Sequence, residues 1–141
     1  MSFANAPSRA AGITMNSTGT SLAGRSILVV EHESLISLDI VRAFERSGAQ
    51  VTAISKLSDA ARLVEANGLS AAILDHGIGR DNSSALRIHL RERGIPYVIY
   101  TGYDKVRKMV PEGEPRVSKP ANPDVLVAMV AGLLQKRSAA E

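Results

Sequence analysis

The apolar run Ile27-Leu28-Val29-Val30 stops abruptly at Glu31, His32 and Glu33. Three further apolar runs also stop at groups that do chemistry: "SAAIL" at Asp75, "PYVIY" at Thr101 and "PRVS" at Lys119. Carboxylates coordinate hard cations or act as nucleophiles, and a hydroxyl and an ammonium donate to anionic oxygens. Together they are the parts of a metal or phosphate site, or of such a site with one part changed. Taken singly each is weak. An Asp after a strand is commonly a turn or helix cap, a Thr suits a strand, and a Lys is usually solvated. Their joint placement carries the functional reading.

Strands alternating with amphipathic helices would position these residues. The expected strands are 26–30, 49–54, 70–75, 96–101 and a short fifth at 115–119. Helices are expected over 34–48, with Leu35, Leu38, Val41 and Phe44 at helical spacing and Gly48 at the end, and over 58–68, with Ser58 as cap and Gly68 as stop. A third helix is expected over 83–94, and a last over 122–137. The last is capped by Asn122, begins with Pro123, and carries an apolar stripe of Val125, Leu126, Met129, Val130, Leu133 and Leu134. The segment 102–114 holds few apolar residues and a Pro-Glu-Gly break, so its helix, fourth in the series, is expected to be short. Such alternation implies an α/β fold, a flavodoxin-like (βα)5 doubly wound parallel sheet of order 2-1-3-4-5. In such sheets sites gather beyond the carboxyl ends of the strands at the switch in strand order. Here that switch falls between strands one and three, where Glu31, His32 and Asp75 stand.

Composition bounds the function. The chain has 141 residues, 45% of them hydrophobic, which suits one domain with a real core. The absence of cysteine excludes disulfides, Cys-based zinc sites and a cysteine nucleophile. The net charge of +3 is mild, and the basic groups Arg87/Arg91/Arg93 and Lys105/Arg107/Lys108 are too sparse for a nucleic-acid footprint. No apolar run approaches the ~20 residues that cross a bilayer, and the N-terminus has no signal-peptide pattern. A cytoplasmic protein without membrane partners is expected. Residues 1–25 read as a disordered leader, with a docking segment as the sharper reading and Met15 as an alternative start. Residues 26–137 read as the domain and 138–141 as a tail.

The motifs "ILVVEHE", "AAILDHGIG", "YTGYD" and "VSKP" together resemble the CheY-like receiver domain of two-component response regulators, over about residues 26–137. "YTGY" and the short link to "VSKP" are also similar to a mostly alphaproteobacterial subgroup with a Phe-Ala-Thr-Gly-x-Tyr signature. The match there is partial, since Ile99 stands for Phe and Tyr100 for Ala. The resemblance implies that Asp75 accepts a phosphoryl group from a phosphohistidine and forms an acyl phosphate. It implies that Lys119 pairs first with that carboxylate and then with the phosphoryl group. Such a pair at ~4 Å, with an effective dielectric near ~20, interacts by about 4 kcal/mol before desolvation. Thr101 would donate its hydroxyl to a phosphoryl oxygen. Glu31, His32, Asp75 and the Gly77 carbonyl would be the Mg2+ ligands, and Lys119-Pro120 a candidate cis peptide.

Two departures qualify that expectation. The second member of the acidic pair is His32, whereas Mg2+ prefers oxygen ligands in octahedral geometry and imidazole suits Mn2+ and later metals. Three readings stay open. In the first, Mg2+ binds weakly through Asp75, Gly77 and water-bridged Glu31 or Glu33. In the second, His32 turns to solvent. In the third, the domain is degenerate and works without metal-dependent phosphorylation. The other departure is Arg116, which stands where many receivers have an aromatic switch residue; Tyr100 or Tyr103 would have to substitute, against the plainer reading of a buried strand tyrosine. His76 would flank the pocket, and His89 reads as an exposed helix residue.

These readings add up to a single-domain response regulator, since only "SAAE" follows the last helix. Its partners would be a histidine kinase or histidine phosphotransferase and a downstream protein, with the basic "DKVRK" and "PEGEPR" segments bordering the partner-facing surface. At most it catalyses its own phosphoryl transfer and dephosphorylation. The alternative is a pseudo-receiver, a phosphorylation-independent protein-binding module. Oligomeric state is left open, a dimer included.

Overall fold

The computed structural model describes residues 21–66, 68–75, 83–102 and 114–140, with the backbone alone for Thr101 and residues 138–140. The described elements are β1 (Ser26–Val30), α1 (Ser34–Arg46), β2 (Gln50–Ile54), α2 (Leu57–Glu65), β3 (Ala71–Leu74), α3 (Ser84–Glu92), β4 (Tyr97–Thr101), β5 (Arg116–Ser118) and α4 (Pro123–Ala140). The strands form one sheet of order β2-β1-β3-β4-β5, and every neighbouring pair is parallel. The expected doubly wound architecture is therefore present. The short helix expected between β4 and β5 falls in residues 103–113, outside the described residues.

Alternate side chains of the central strands feed two separate cores, as the two-residue strand period requires. Ile27, Val29, Ala71, Ile73, Val98 and Tyr100 pack with Ile40, Ala43 and Phe44 of α1 and Leu126, Val127, Val130 and Leu134 of α4. Leu28, Val30, Ala72, Leu74, Tyr97 and Ile99 pack with Ala60 and Val64 of α2 and Leu86 and Leu90 of α3. Each fully buried large side chain contributes about 1.5–3 kcal/mol. Residues 27–30 of β1 are buried, which is why they read as an unbroken apolar run.

The structure corrects several local expectations. In α1 the inward stripe is Ile36, Ile40, Ala43 and Phe44, while Leu35 and Leu38 are 79% and 41% exposed. Both stripes have helical spacing and share Phe44, and docking against α4 selects the one displaced toward Ile40. In α2 the N-cap is Lys56 rather than Ser58. Leu57 packs against the α2–α3 core and draws the helix start forward. Gly68 has a positive φ of 114° but lies beyond the C-cap, Ala66. In α4 Val125 is 44% exposed and Val127 replaces it in the core. The Asn122 cap holds, with its Oδ1 accepting from the Asp124 N–H at 2.9 Å.

The end of the expected leader belongs to the fold. Leu22 is 1% exposed within the α1–α4 core. Its N–H donates to the Ser47 carbonyl at 2.9 Å, and the Gln50 N–H donates to the Arg25 carbonyl at 2.9 Å. The chain passes so close to the α1–β2 turn that a Cβ on Gly48 would sit 3.1 Å from the Ala23 Cα. Gly48 also has φ +95°, so a side chain there would meet both strain and a backbone contact.

Candidate functional site

Strand register brings the site together. Val30 is paired with Leu74, so Glu31 and Asp75 emerge side by side one residue later. The ladder continues under them: the Asp75 N–H donates to the Val30 carbonyl, and the Glu31 N–H to the Ile54 carbonyl, each at 3.0 Å. Thr101 is paired with Ser118, which places Lys119 just past the end of β4. Glu31, His32, Asp75 and Lys119 therefore meet at the carboxyl edge of the sheet. Thr101 is there by its backbone, while Gly77, His76 and Tyr103 lie outside the described residues.

The Lys119 ammonium joins the two buried carboxylates, with Nζ 2.9 Å from Glu31 Oε1 and 3.3 Å from Asp75 Oδ2. His32 Nδ1 approaches the same Asp75 oxygen at 3.0 Å and Glu31 Oε2 at 3.6 Å. Oε2 also accepts the Glu33 N–H at 3.1 Å. The Glu31 and Asp75 side chains are 2% and 4% exposed, that of Lys119 15%, and that of His32 49%. Burial pushes the Glu31 carboxyl above its ordinary range, against the opposing pull of the Lys119 and Glu33 hydrogen bonds. For Lys119, burial alone would lower the pKa. The Glu31 hydrogen bond and the charges of Asp75 and Glu31 outweigh it and hold the ammonium above its ordinary value.

Tyr100 supports this arrangement in a way the sequence did not indicate. Its side chain is buried, and its hydroxyl both accepts the Ala121 N–H at 3.1 Å and donates to the Ala121 carbonyl at 3.2 Å. The Lys119 ammonium lies 5.6 Å from the centre of its ring, within cation–π reach. The Lys119–Pro120 bond between these anchor points is cis, as the resemblance implied. Arg116 begins β5 half-buried.

A second polar cluster was also missed. Arg87 and Arg91, one turn apart on α3, reach Glu114 Oε1 at 3.2 and 2.8 Å, and the Tyr97 hydroxyl donates to the same oxygen. Arg87 is only 4% exposed and also donates to Ser83 Oγ at 2.8 Å. Two arginines of the expected basic group are thus committed to internal pairing. No spacing rule links α3 to a loop residue more than twenty positions away. His89 is half-buried rather than exposed, and its Nε2 has no hydrogen-bond partner among the described residues.

Glu31, His32 and Asp75 offer three ligand atoms within 4.8 Å of one another, a group able to hold a metal ion. Its donor set fits Mg2+ poorly. Mg2+ demands about six oxygens near 2.0–2.1 Å. Here one of the three donors is a nitrogen, both Glu31 oxygens already accept hydrogen bonds, and Asp75 Oδ2 is shared by Lys119 and His32.

Comparison with known proteins agrees with the architecture. No protein-family model matches the chain, and no curated protein matches it. Solved structures do match. A response regulator receiver protein from Sinorhizobium medicae superposes with a TM-score of 0.69 at 21% identity, over 81% of this chain and 97% of that one. A response regulator receiver domain protein from Clostridium thermocellum gives 0.72 at 20% identity, over 83% and 99%. The response regulator PhyR from Brucella abortus gives 0.71 at 25% identity, over 84% of this chain and 51% of that one. Among the described residues no helix is long and apolar enough to cross a membrane. With five parallel strands in the order 2-1-3-4-5 and carboxylates and a lysine gathered at their carboxyl edge, the chain has the fold of a CheY-like response regulator receiver domain.

Proposed function

We propose that this chain is a response regulator that accepts a phosphoryl group on Asp75 from a histidine kinase or histidine phosphotransferase and signals through a protein partner. The observation that carries the reading is the sharing of Asp75 Oδ2 between two basic side chains at the switch in strand order, Lys119 at 3.3 Å and His32 at 3.0 Å. A carboxylate held between two such neighbours is oriented, which a nucleophile requires. The ammonium stands where charge on a transferred phosphoryl group, about −1.5 to −2, has to be offset. Thr101, at the end of the neighbouring strand, is the proposed hydroxyl donor to that group. A divalent ion, Mg2+ or Mn2+, would take its place among Glu31, His32, Asp75 and Gly77 only by displacing the contacts now made there, so its binding is weak.

One observation favours a second reading. The same two side chains already occupy the acidic pocket in the resting protein, as they would in a pseudo-receiver that binds its partner without phosphorylation. A phosphoryl-transfer assay separates the two. Wild type and Asp75→Asn are incubated with acetyl phosphate, alone and with Mg2+ or Mn2+, and read by intact mass. Label on wild type that disappears in Asp75→Asn supports the receiver. Absence of label under every condition supports the pseudo-receiver.

A further inference from the structure

We propose that His32 is the pocket's built-in substitute for the metal ion: its Nδ1–H and the Lys119 ammonium form a donor pair on Asp75, so that phosphorylation of this chain needs no divalent cation. The inference rests on the reading of Asp75 as phosphoacceptor and goes beyond it.

The geometry assigns the proton. A carboxylate oxygen only accepts, so a contact of 3.0 Å between Nδ1 and Asp75 Oδ2 is favourable with the hydrogen on Nδ1. That nitrogen is then a donor with no lone pair to offer a metal. The contact needs only the N–H, so it holds whether the ring is neutral or charged. Glu31 is equally committed. Oε1 takes Lys119 at 2.9 Å and Oε2 takes the Glu33 N–H at 3.1 Å, so its role is to fix the ammonium beside Asp75. His32 Nδ1, Asp75 Oδ2 and both Glu31 oxygens are thus engaged in contacts within the pocket. What the pocket presents toward Asp75 is two N–H donors from opposite sides of the strand ends, one from the residue after Glu31 and one from the residue after β5.

The step balances without a metal. With phosphoramidate as donor, an Asp75 carboxylate oxygen attacks phosphorus, the O–P bond forms and the P–N bond breaks. The electron pair stays on nitrogen, which takes a proton from solvent and leaves as ammonia. Lys119 and His32 donate to phosphoryl oxygens that carry charge throughout, the task a cation performs elsewhere. Position 32 thus decides between two chemistries: a carboxylate there would supply oxygen to a cation, and the imidazole supplies hydrogen to the anion.

The test uses the full chain with phosphoramidate, in EDTA and in Mg2+, read by intact mass, together with calorimetric titration of Mg2+. Wild type is expected to label at the same rate in both conditions and to show weak Mg2+ binding. In EDTA His32→Ala slows labelling about tenfold or more, the equivalent of losing one charge-assisted hydrogen bond. His32→Asn, which keeps an N–H, recovers part of that rate. His32→Asp labels only with Mg2+ and binds it at least about tenfold more tightly. Wild-type label that is lost in EDTA, or equal rates for wild type and His32→Ala in EDTA, overturns the proposal while leaving Asp75 as acceptor. No wild-type label in either condition overturns both. The Mg2+ titration of wild type needs no variant, and tight binding there overturns the proposal directly.

Discussion

Lys119 stands closer to Glu31 than to Asp75, at 2.9 against 3.3 Å, so the half-buried ammonium is held first by the residue after β1. Lys119→Ala would leave two buried carboxylates side by side without the ammonium that joins them. A loss of about 3 kcal/mol is expected from urea unfolding at neutral pH, since breaking one partner of a buried pair leaves the other uncompensated. The loss should shrink on acidification, because protonating either carboxyl relieves the repulsion. In wild type the raised Lys119 pKa means its contribution is complete below the ordinary lysine value and fades as pH climbs through the higher folded value.

The Tyr100 clamp on Ala121 predicts a separate effect. Tyr100→Phe keeps the ring but removes the hydroxyl that satisfies both backbone groups of Ala121. Unfolding free energy should fall by about 1–3 kcal/mol, the cost of leaving partly buried polar groups unpaired. A change below ~0.5 kcal/mol would mean that water replaces the hydroxyl at no cost.

Tyr97 and Glu114 predict opposite pH limbs. Burial first, then the Glu114 carboxylate, pushes the Tyr97 hydroxyl up to about 12 from 10.0. Its stabilising share is therefore complete below pH 10 and is lost as pH rises toward 12. For Glu114, burial alone would raise the carboxyl, but the hydrogen bond from Tyr97, the Arg87 charge and Arg91 outweigh it and hold it below 4.5. Its share is present above that value and is lost as the solution is acidified through the lower folded pKa. Thermal unfolding against pH should show Tyr97→Phe flattening the alkaline limb and Glu114→Gln flattening the acid one.

Leu22 and Leu35 make a paired test of the packing. Leu22→Ala, in the core, should cost about 2–5 kcal/mol, whereas Leu35→Ala, on the open face of α1, should stay within ~0.5 kcal/mol. Denaturant midpoints with an unchanged slope would measure both. Equal small effects would return residues 21–25 to the leader.

The contrast between these leucines shows what could be read beforehand. Strand order and the meeting of Glu31, His32, Asp75 and Lys119 were legible, because apolar runs ending in reactive groups follow from the two-residue period and the parallel topology. The inward stripe of α1 was not, because two stripes share Phe44 and only docking against α4 chooses between them. Leu22 was hidden in a polar leader, where one apolar residue carries no period. The Tyr100–Ala121 clamp and the Glu114 cluster join segments distant in sequence, and nothing in local spacing announces them.

The most direct measurement is the position of the covalent group. The chain is treated with phosphoramidate, the acyl phosphate is reduced with borohydride, which acts on a phosphorylated carboxylate and not on a phosphoimidazole, and the peptides are mapped by mass. Modification confined to Asp75 is the predicted result. Label retained on His32, or reduction at Glu31 or Glu33 with Asp75 intact, would contradict the account.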